Sequence, residues 1–199
     1  MRKIVAGLFM SLDGVVESPE QWQFPYFNDE MGQALGSTMA ASDTLLLGRR
    51  TYQEFAATWP GRGSDDLIGA YMNNTPKLVA STTLDSTDWH NSTVLDGDFA
   101  EQIGKLKQQP GKNITITGSI TLVRSLLHDG LLDELALMVC PIVVGRGQRL
   151  FDDWSDQLRL NLQDAKTFGT GVLSLSYTPA PQHDHSITPE MEHPHASYS

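Results

Sequence analysis

Residues 45–55 read LLLGRRTYQEF. Three consecutive leucines after Asp43-Thr44 suit a short buried strand over 43–47, and Gly48 breaks it. Residues 51–57 then predict a short helix, stopped by Trp59-Pro60, because the residue before a proline is pushed out of the helical region. Strand, glycine, helix is the junction of a βα unit. A helix start carries N–H groups without intrahelical acceptors and a partial positive charge, and so favours an anion. Arg49 and Arg50 add cationic charge there, and Thr51 adds a hydroxyl. On these residues alone, a phosphate site and a capped helix with two solvated arginines stand level.

The same order of parts recurs downstream. Residues 113–117 (NITIT) are strand-like, Gly118 follows, and Ser119 opens a helix to about His128, with Gly130 at its end. Ser119 and Thr121 can meet an oxyanion, and Gly118 allows close backbone approach. Residues 77–81 (KLVAS) form another buried strand whose end supplies Ser81, Thr82 and Thr83. Hydroxyls are also common turn residues, so this segment is weak by itself. Ligands of open α/β sheets lie outside the carboxyl ends of the strands, and three such ends in one sheet would converge.

The flanks complete the pattern. Residues 2–9 (RKIVAGLF) predict a first strand, followed by a polar loop with Ser11, Asp13, Gly14 and Glu17. From Asn28 to about Ala41 the period turns helical, with Met31, Leu35 and Met39 four apart and Asn28 or Asp29 as the cap. Residues 61–75 are loop-rich with room for a helical turn at 66–72, and 92–95 form a short strand. Phe99 to Lys107 is amphipathic, with Phe99, Ile103 and Leu106 inward. Residues 135–144 (LALMVCPIVV) predict one long strand ended by Gly145 and Gly147. Residues 157–163 and 171–178 read as a closing antiparallel hairpin with a long connection. The fold class is therefore α/β: a three-layer α/β/α sandwich around a mixed, mainly parallel sheet, with a C-terminal antiparallel hairpin.

Composition sets the outer bounds. The chain has 199 residues, 40% hydrophobic and 19% charged, which suits one globular domain over residues 1–178. Residues 179–199 hold four of the six histidines and few hydrophobes, and so predict a disordered tail. His183, His185, His193 and His195 lack a rigid scaffold that would make them a metal site, so no metal is expected. The net charge of −10 argues against nucleic acid as partner. No apolar run approaches the ~20 residues of a spanning helix, so no membrane partner is expected. The single cysteine, Cys140, excludes an intrachain disulfide and fits a reducing cytoplasm. It sits in an apolar run and reads as a buried small hydrophobe.

Walker, H-E-x-x-H and G-x-S-x-G motifs are absent. Gly145-Arg146-Gly147 fails the dinucleotide fingerprint, because Leu150 takes the third glycine position.

The ordered set SLDG at 11–14, LLLGRRTYQEF at 45–55, LVAST at 78–82, ITGSITLVRSLL at 116–127, GLLDEL at 130–135 and PIVVGRGQRLF at 141–151 resembles the dihydrofolate reductase superfamily. It is most similar to the bacterial branch related to the reductase domain of riboflavin biosynthesis. The resemblance spans about residues 2–178 and implies a dihydrofolate-reductase-like fold, NADPH as cofactor, a small-molecule substrate and a homodimer. By resemblance, Gly48, Arg49 and Thr51 meet the cofactor phosphates, and Ser81 and Thr82 the 2′-phosphate and adenosine side. Family members carry a Gly-Gly pair joined by a cis peptide at the diphosphate; Gly118-Ser119 stands in its place here. A cis bond before a non-proline residue costs about 2.5–4 kcal/mol, and its isomer at this position is left open.

The resemblance also implies that Leu12, Asp13 and Gly14 lie near nicotinamide and substrate. Asp13 is then a candidate catalytic or substrate-orienting residue, with a plain turn as the alternative. Folate-reducing members hold the pterin with an acid on the first helix. Asp29 (substrate-binding) and Glu30 (catalytic) lie in that region, where a helix cap explains them equally. The expected activity is hydride transfer from NADPH to a small planar, pterin- or pyrimidine-like substrate, with a proton from Asp13, Glu30 or water. The alternative is a non-catalytic dimeric nucleotide- or small-ligand-binding module of the same fold. The missing His-x-Glu and paired cysteines argue against a linked deaminase.

Overall fold

The computed structural model describes residues 1–62, 66–152, 154 and 157–180. Strands β1 (Ile4–Ser11), β2 (Ser42–Gly48), β3 (Lys77–Ala80), β4 (Ser92–Val94), β5 (Asn113–Thr117), β6 (Glu134–Cys140), β7 (Leu160–Thr167) and β8 (Leu173–Pro179) form one sheet. Its order is β4-β3-β2-β5-β1-β6-β8-β7. The first six strands pair in parallel, and β8 and β7 join antiparallel. The helices are α1 (Asp29–Ala40), α2 (Arg49–Thr58), α3 (Leu67–Asn74), α4 (Phe99–Gln108) and α5 (Ile120–His128).

Side-chain alternation along the central strands creates the layers. Ile4, Ala6, Leu8, Leu46, Ile114 and Ile116 face one side, where Ile103 of α4 and Val123, Leu126 and Leu127 of α5 cover them. Leu45 and Leu47 face the other side, under Tyr52 of α2 and Met72 of α3. On that same side Met31 of α1 packs with Trp22, Cys140, Phe168 and Val172. The result is the three-layer sandwich, with helices on both faces.

Several boundaries differ from expectation, each for a local reason. Helix α2 begins at Arg49, not Thr51, because Gly48 stays extended (φ −75°, ψ 157°) and takes the cap position itself. Helix α3 is a full helix rather than a turn, since the Asp66 carboxylate accepts the N–H groups of Ile68 and Gly69. Strand β6 stops at Cys140, where 135–144 was expected to run on. Pro141 has no N–H to continue the ladder, and Ile142 N donates to Cys140 O at 2.8 Å. The hairpin connection is short, not long: residues 168–172 close it, with Phe168 N donating to Val172 O at 2.8 Å. Pro179 belongs to β8 and Ala180 N donates to Arg159 O at 2.9 Å. The tail was expected from residue 179; its remainder, 181–199, lies outside the described residues. No helix among the described residues is long and apolar enough to cross a membrane.

Candidate functional site

The parallel strands place the ends of β3, β2, β5, β1 and β6 side by side in that order along one rim of the sheet. Chain segments far apart in sequence therefore meet there.

At the outer end, Arg49 of α2 shares a cavity of about 430 Å³ with Ser81 and Thr82 after β3. Ala80, Leu95 and Phe99 give it an apolar wall, and Thr83 and Gly97 complete the lining. The two adjacent arginines part company here. Arg50 pairs with Glu54 at 3.0 Å and with Glu17 at 3.7 Å. Arg49, among the described residues, has no ion-pair partner, so its charge is available to a ligand.

Next along the rim, the starts of α2 and α5 meet. Ser119 is the N-cap of α5 yet makes no capping bond to its own helix. Its hydroxyl instead accepts the N–H of Gly48, the N-cap of α2, at 3.0 Å. Neither helix start has a side-chain cap. The other three helices all do, from Asn28, Asp66 and Asp98. Two helix starts without side-chain caps thus adjoin at one junction, and helix starts of this kind favour anions.

Gly118 is required at this junction. Its φ is +71°, and a Cβ there would stand 3.2 Å from Thr51 Cγ2 and 3.4 Å from Phe55 Cζ. Every peptide bond among the described residues is trans, that of Gly118-Ser119 included. Thr51 is buried at the junction, while Thr121 is exposed on the first turn of α5.

Past β1 the chemistry changes from cationic to carboxylate. Asp13 Oδ1 accepts the Ser11 hydroxyl at 2.7 Å and Val144 N at 3.0 Å, and Oδ2 accepts Gly145 N at 2.8 Å. Arg149 Nη2 lies 3.5 Å away. The Ser11 hydroxyl, followed by these backbone donors, holds the carboxyl far below the usual range. The geometry makes Asp13 a clasp between the loop after β1 and the turn after β6. Leu12 beside it is exposed, and its N–H donates to Ile142 O at 2.8 Å.

Asp29 and Glu30 are both exposed on the first turn of α1. Glu30 Oε2 accepts Gly169 N at 2.6 Å and Asn28 Nδ2 at 2.9 Å. The structure thus ties Glu30 to the β7–β8 turn, and no hydrogen bond links it to the residues around Arg49 or Ser119. Cys140 is fully buried, and burial pushes its thiol up to about 11, so it stays an inert core residue.

Sequence reasoning missed the far wall of the cavity (Leu95, Gly97) and the partners of Asp13. Residues 92–97 carry no motif, and only β4 pairing with β3 brings them to Ser81. Among the described residues no cluster of His, Cys, Asp and Glu could hold a metal.

The mixed, mainly parallel sheet with its antiparallel C-terminal pair and helices on both faces is a dihydrofolate-reductase-like α/β fold. The family model described as the RibD C-terminal domain matches residues 2–174, and the chain belongs to that family. The uncharacterized protein YyaP of Bacillus subtilis (strain 168) is 27% identical over 180 residues, covering 88% of this chain and 94% of the relative. A candidate riboflavin biosynthesis protein from Shewanella sp. PV-4 shares the fold with a TM-score of 0.72 at 19% identity, over 89% of this chain and 99% of that one. A pyrimidine reductase-like protein from Corynebacterium diphtheriae gives a TM-score of 0.62 at 14% identity, over 90% and 92% of the two chains.

Proposed function

We propose that this chain is an NADPH-dependent reductase that transfers a hydride to a small planar, pterin- or pyrimidine-like substrate. The observation that carries the proposal is the pairing of two uncapped helix starts with an unpartnered arginine in the adjoining cavity. The residues fit the cofactor. Arg49, Ser81 and Thr82 offer a cation and hydroxyls for a 2′-phosphate, a donor set that favours NADPH over NADH. Leu95 and Phe99 offer apolar surface to the adenine. The starts of α2 and α5, with the close approach Gly118 permits, suit the diphosphate.

When bound, NADPH supplies the hydride; the protein supplies position and electrostatics. Ordering along the rim would put the nicotinamide end toward β1 and the substrate toward Leu12 and the turn after β6. Asp13 contributes by holding that turn in place through Val144 and Gly145. The acceptor ring also needs a proton, for which Asp13, Glu30 and water are the candidates. The pyrimidine reductase-like name of the Corynebacterium protein supports the substrate class.

The test is titration of the protein with NADPH and with NADH, followed by quenching of tryptophan fluorescence, then assays of cofactor oxidation with pterins, pyrimidines, flavin precursors and quinones. Preferential binding of NADPH with turnover of one substrate class is expected. Equal or absent binding of the two cofactors would overturn the assignment. Binding without oxidation across the panel would make the chain a non-catalytic binding module.

A further inference from the structure

Glu17 joins three segments that sequence keeps apart. It lies on the loop after β1. Its Oε2 accepts Gln148 N at 3.0 Å, in the glycine-rich turn after β6. Its Oε1 faces Arg50 Nη2 at 3.7 Å, on the first turn of α2. The contact with the turn is close because Gly147 has φ +106° and no side chain: a Cβ there would stand 3.0 Å from Val15 and 3.3 Å from Glu17 Oε2. The backbone carbonyl of Glu17 is anchored in turn by the Trp22 indole N–H at 3.1 Å.

Asp13 and Glu17 both hang the turn 144–148 on a carboxylate, but their cations differ. Arg149, beside Asp13, belongs to the same end of the sheet and also donates to Asp13 O at 2.8 Å. Arg50, beside Glu17, stands one residue from Arg49 at the helix start that the proposed function gives to the cofactor diphosphate. The guanidinium is mostly exposed and is shared with Glu54, so an anion at the α2 start competes with Glu17 for it.

We infer that Glu17 is a positioning residue that couples occupancy of the anion site at the start of α2 to the turn 144–148, by holding Arg50 with one carboxylate oxygen and Gln148 N–H with the other. The inference rests on the cofactor reading above and adds to it a link between the two halves of the site. Glu17 withholds Arg50 from an incoming anion. An anion that takes Arg50 changes the restraint on the turn, and linkage makes the effect reciprocal.

The experiment is a double-mutant cycle on NADPH affinity with Glu17→Gln, Arg50→Ala and the pair, with Arg50→Lys as conservative variant. Backbone hydrogen exchange at residues 144–148 is followed in parallel. Glu17→Gln is expected to tighten NADPH binding about two- to five-fold, the range of an exposed ion pair. It should do nothing in the Arg50→Ala background and part of its effect should return with Arg50→Lys. Arg50→Ala, which touches no atom of the turn, should change exchange at Gln148. Arg50 is exposed, so its variants test the link even where Glu17→Gln folds poorly. An equal gain from Glu17→Gln with and without Arg50 would reduce the effect to removal of a nearby negative charge and overturn the coupling, leaving the cofactor reading intact. Failure of the wild type to bind NADPH would overturn both.

Discussion

The hydroxyl of Ser119 accepts the backbone N–H of Gly48 at 3.0 Å, joining the starts of α5 and α2 across 71 residues of chain. One helix cap is spent on another helix. No side chain caps either helix start, and Ile120 N of α5 donates to Gly118 O at 3.0 Å.

Ser119→Ala therefore has two expected effects. It leaves Gly48 N–H without its partner, a loss of about 1–3 kcal/mol, readable in urea unfolding. It also unties the two helix starts, so NADPH affinity should fall in parallel, measured by fluorescence quenching. Lost stability with unchanged affinity would show that the junction is structural only.

Arg49→Ala separates the two cofactors. Arg49 has no ion-pair partner among the described residues, so stability should hold within about 0.5 kcal/mol. A charge-assisted contact to a phosphate is worth about 1.5–3 kcal/mol, so NADPH binding should weaken about ten- to a hundred-fold while NADH binding barely moves. A matching loss for both cofactors would move the 2′-phosphate elsewhere.

The sequence could name Arg49, Ser81 and Thr82 because strand-end glycines and hydroxyls are local signals. Residue type and spacing alone treat Arg49 and Arg50 alike, and only the resemblance singled out Arg49. The difference lies in where Glu17 falls in space, and Glu17 reaches α2 only through the loop after β1.

Asp13→Asn tests the clasp through pH. The folded-state carboxyl lies well below its ordinary value of 3.8. Its contribution is therefore complete above pH 3.8, declines as pH drops below that value, and vanishes only when the folded state itself takes up the proton. Wild type should melt higher than Asp13→Asn at pH 7, and the gap should narrow below pH 4. A gap independent of pH would assign the loss to shape rather than charge. Turn 144–148 should exchange its amides faster in the variant at neutral pH.

Lys77 offers a test far from the cofactor cavity. It is fully buried, and its ammonium donates to the carbonyls of Met72 (2.8 Å), Asn73 (3.2 Å) and Thr75 (2.8 Å), closing the end of α3. It also lies 4.3 Å from the Trp89 ring centroid. Lys77→Ala opens a cavity and strands the carbonyls, for an expected loss of about 3 kcal/mol or more. Lys77→Met keeps the volume and should lose less. Burial pulls the ammonium down to about 8 from 10.5. The folded chain thus sheds this proton before the unfolded chain does. Wild type should gain stability relative to Lys77→Met as pH rises from about 8 to about 10.5. A falling difference over that range would contradict the assignment.

What the sequence determined by itself is local and periodic. Leucine runs ending in glycine, and helices with a four-residue repeat, specify elements and their order, because strand and helix each impose a fixed spacing on buried side chains. That was enough to read a parallel α/β sheet, its antiparallel end, and the segments that meet at its rim. Where a proline or a capping aspartate outweighed the apolar pattern, as at Pro141 and Asp66, boundaries moved. Only the tertiary structure decided which polar groups face each other. Asp13 and Glu17 each find a backbone N–H 131 residues away, and Leu95 joins the cavity through the pairing of β4 with β3. No local spacing encodes such contacts. They follow from sheet order and from how closely two loops approach, which burial across the whole chain determines.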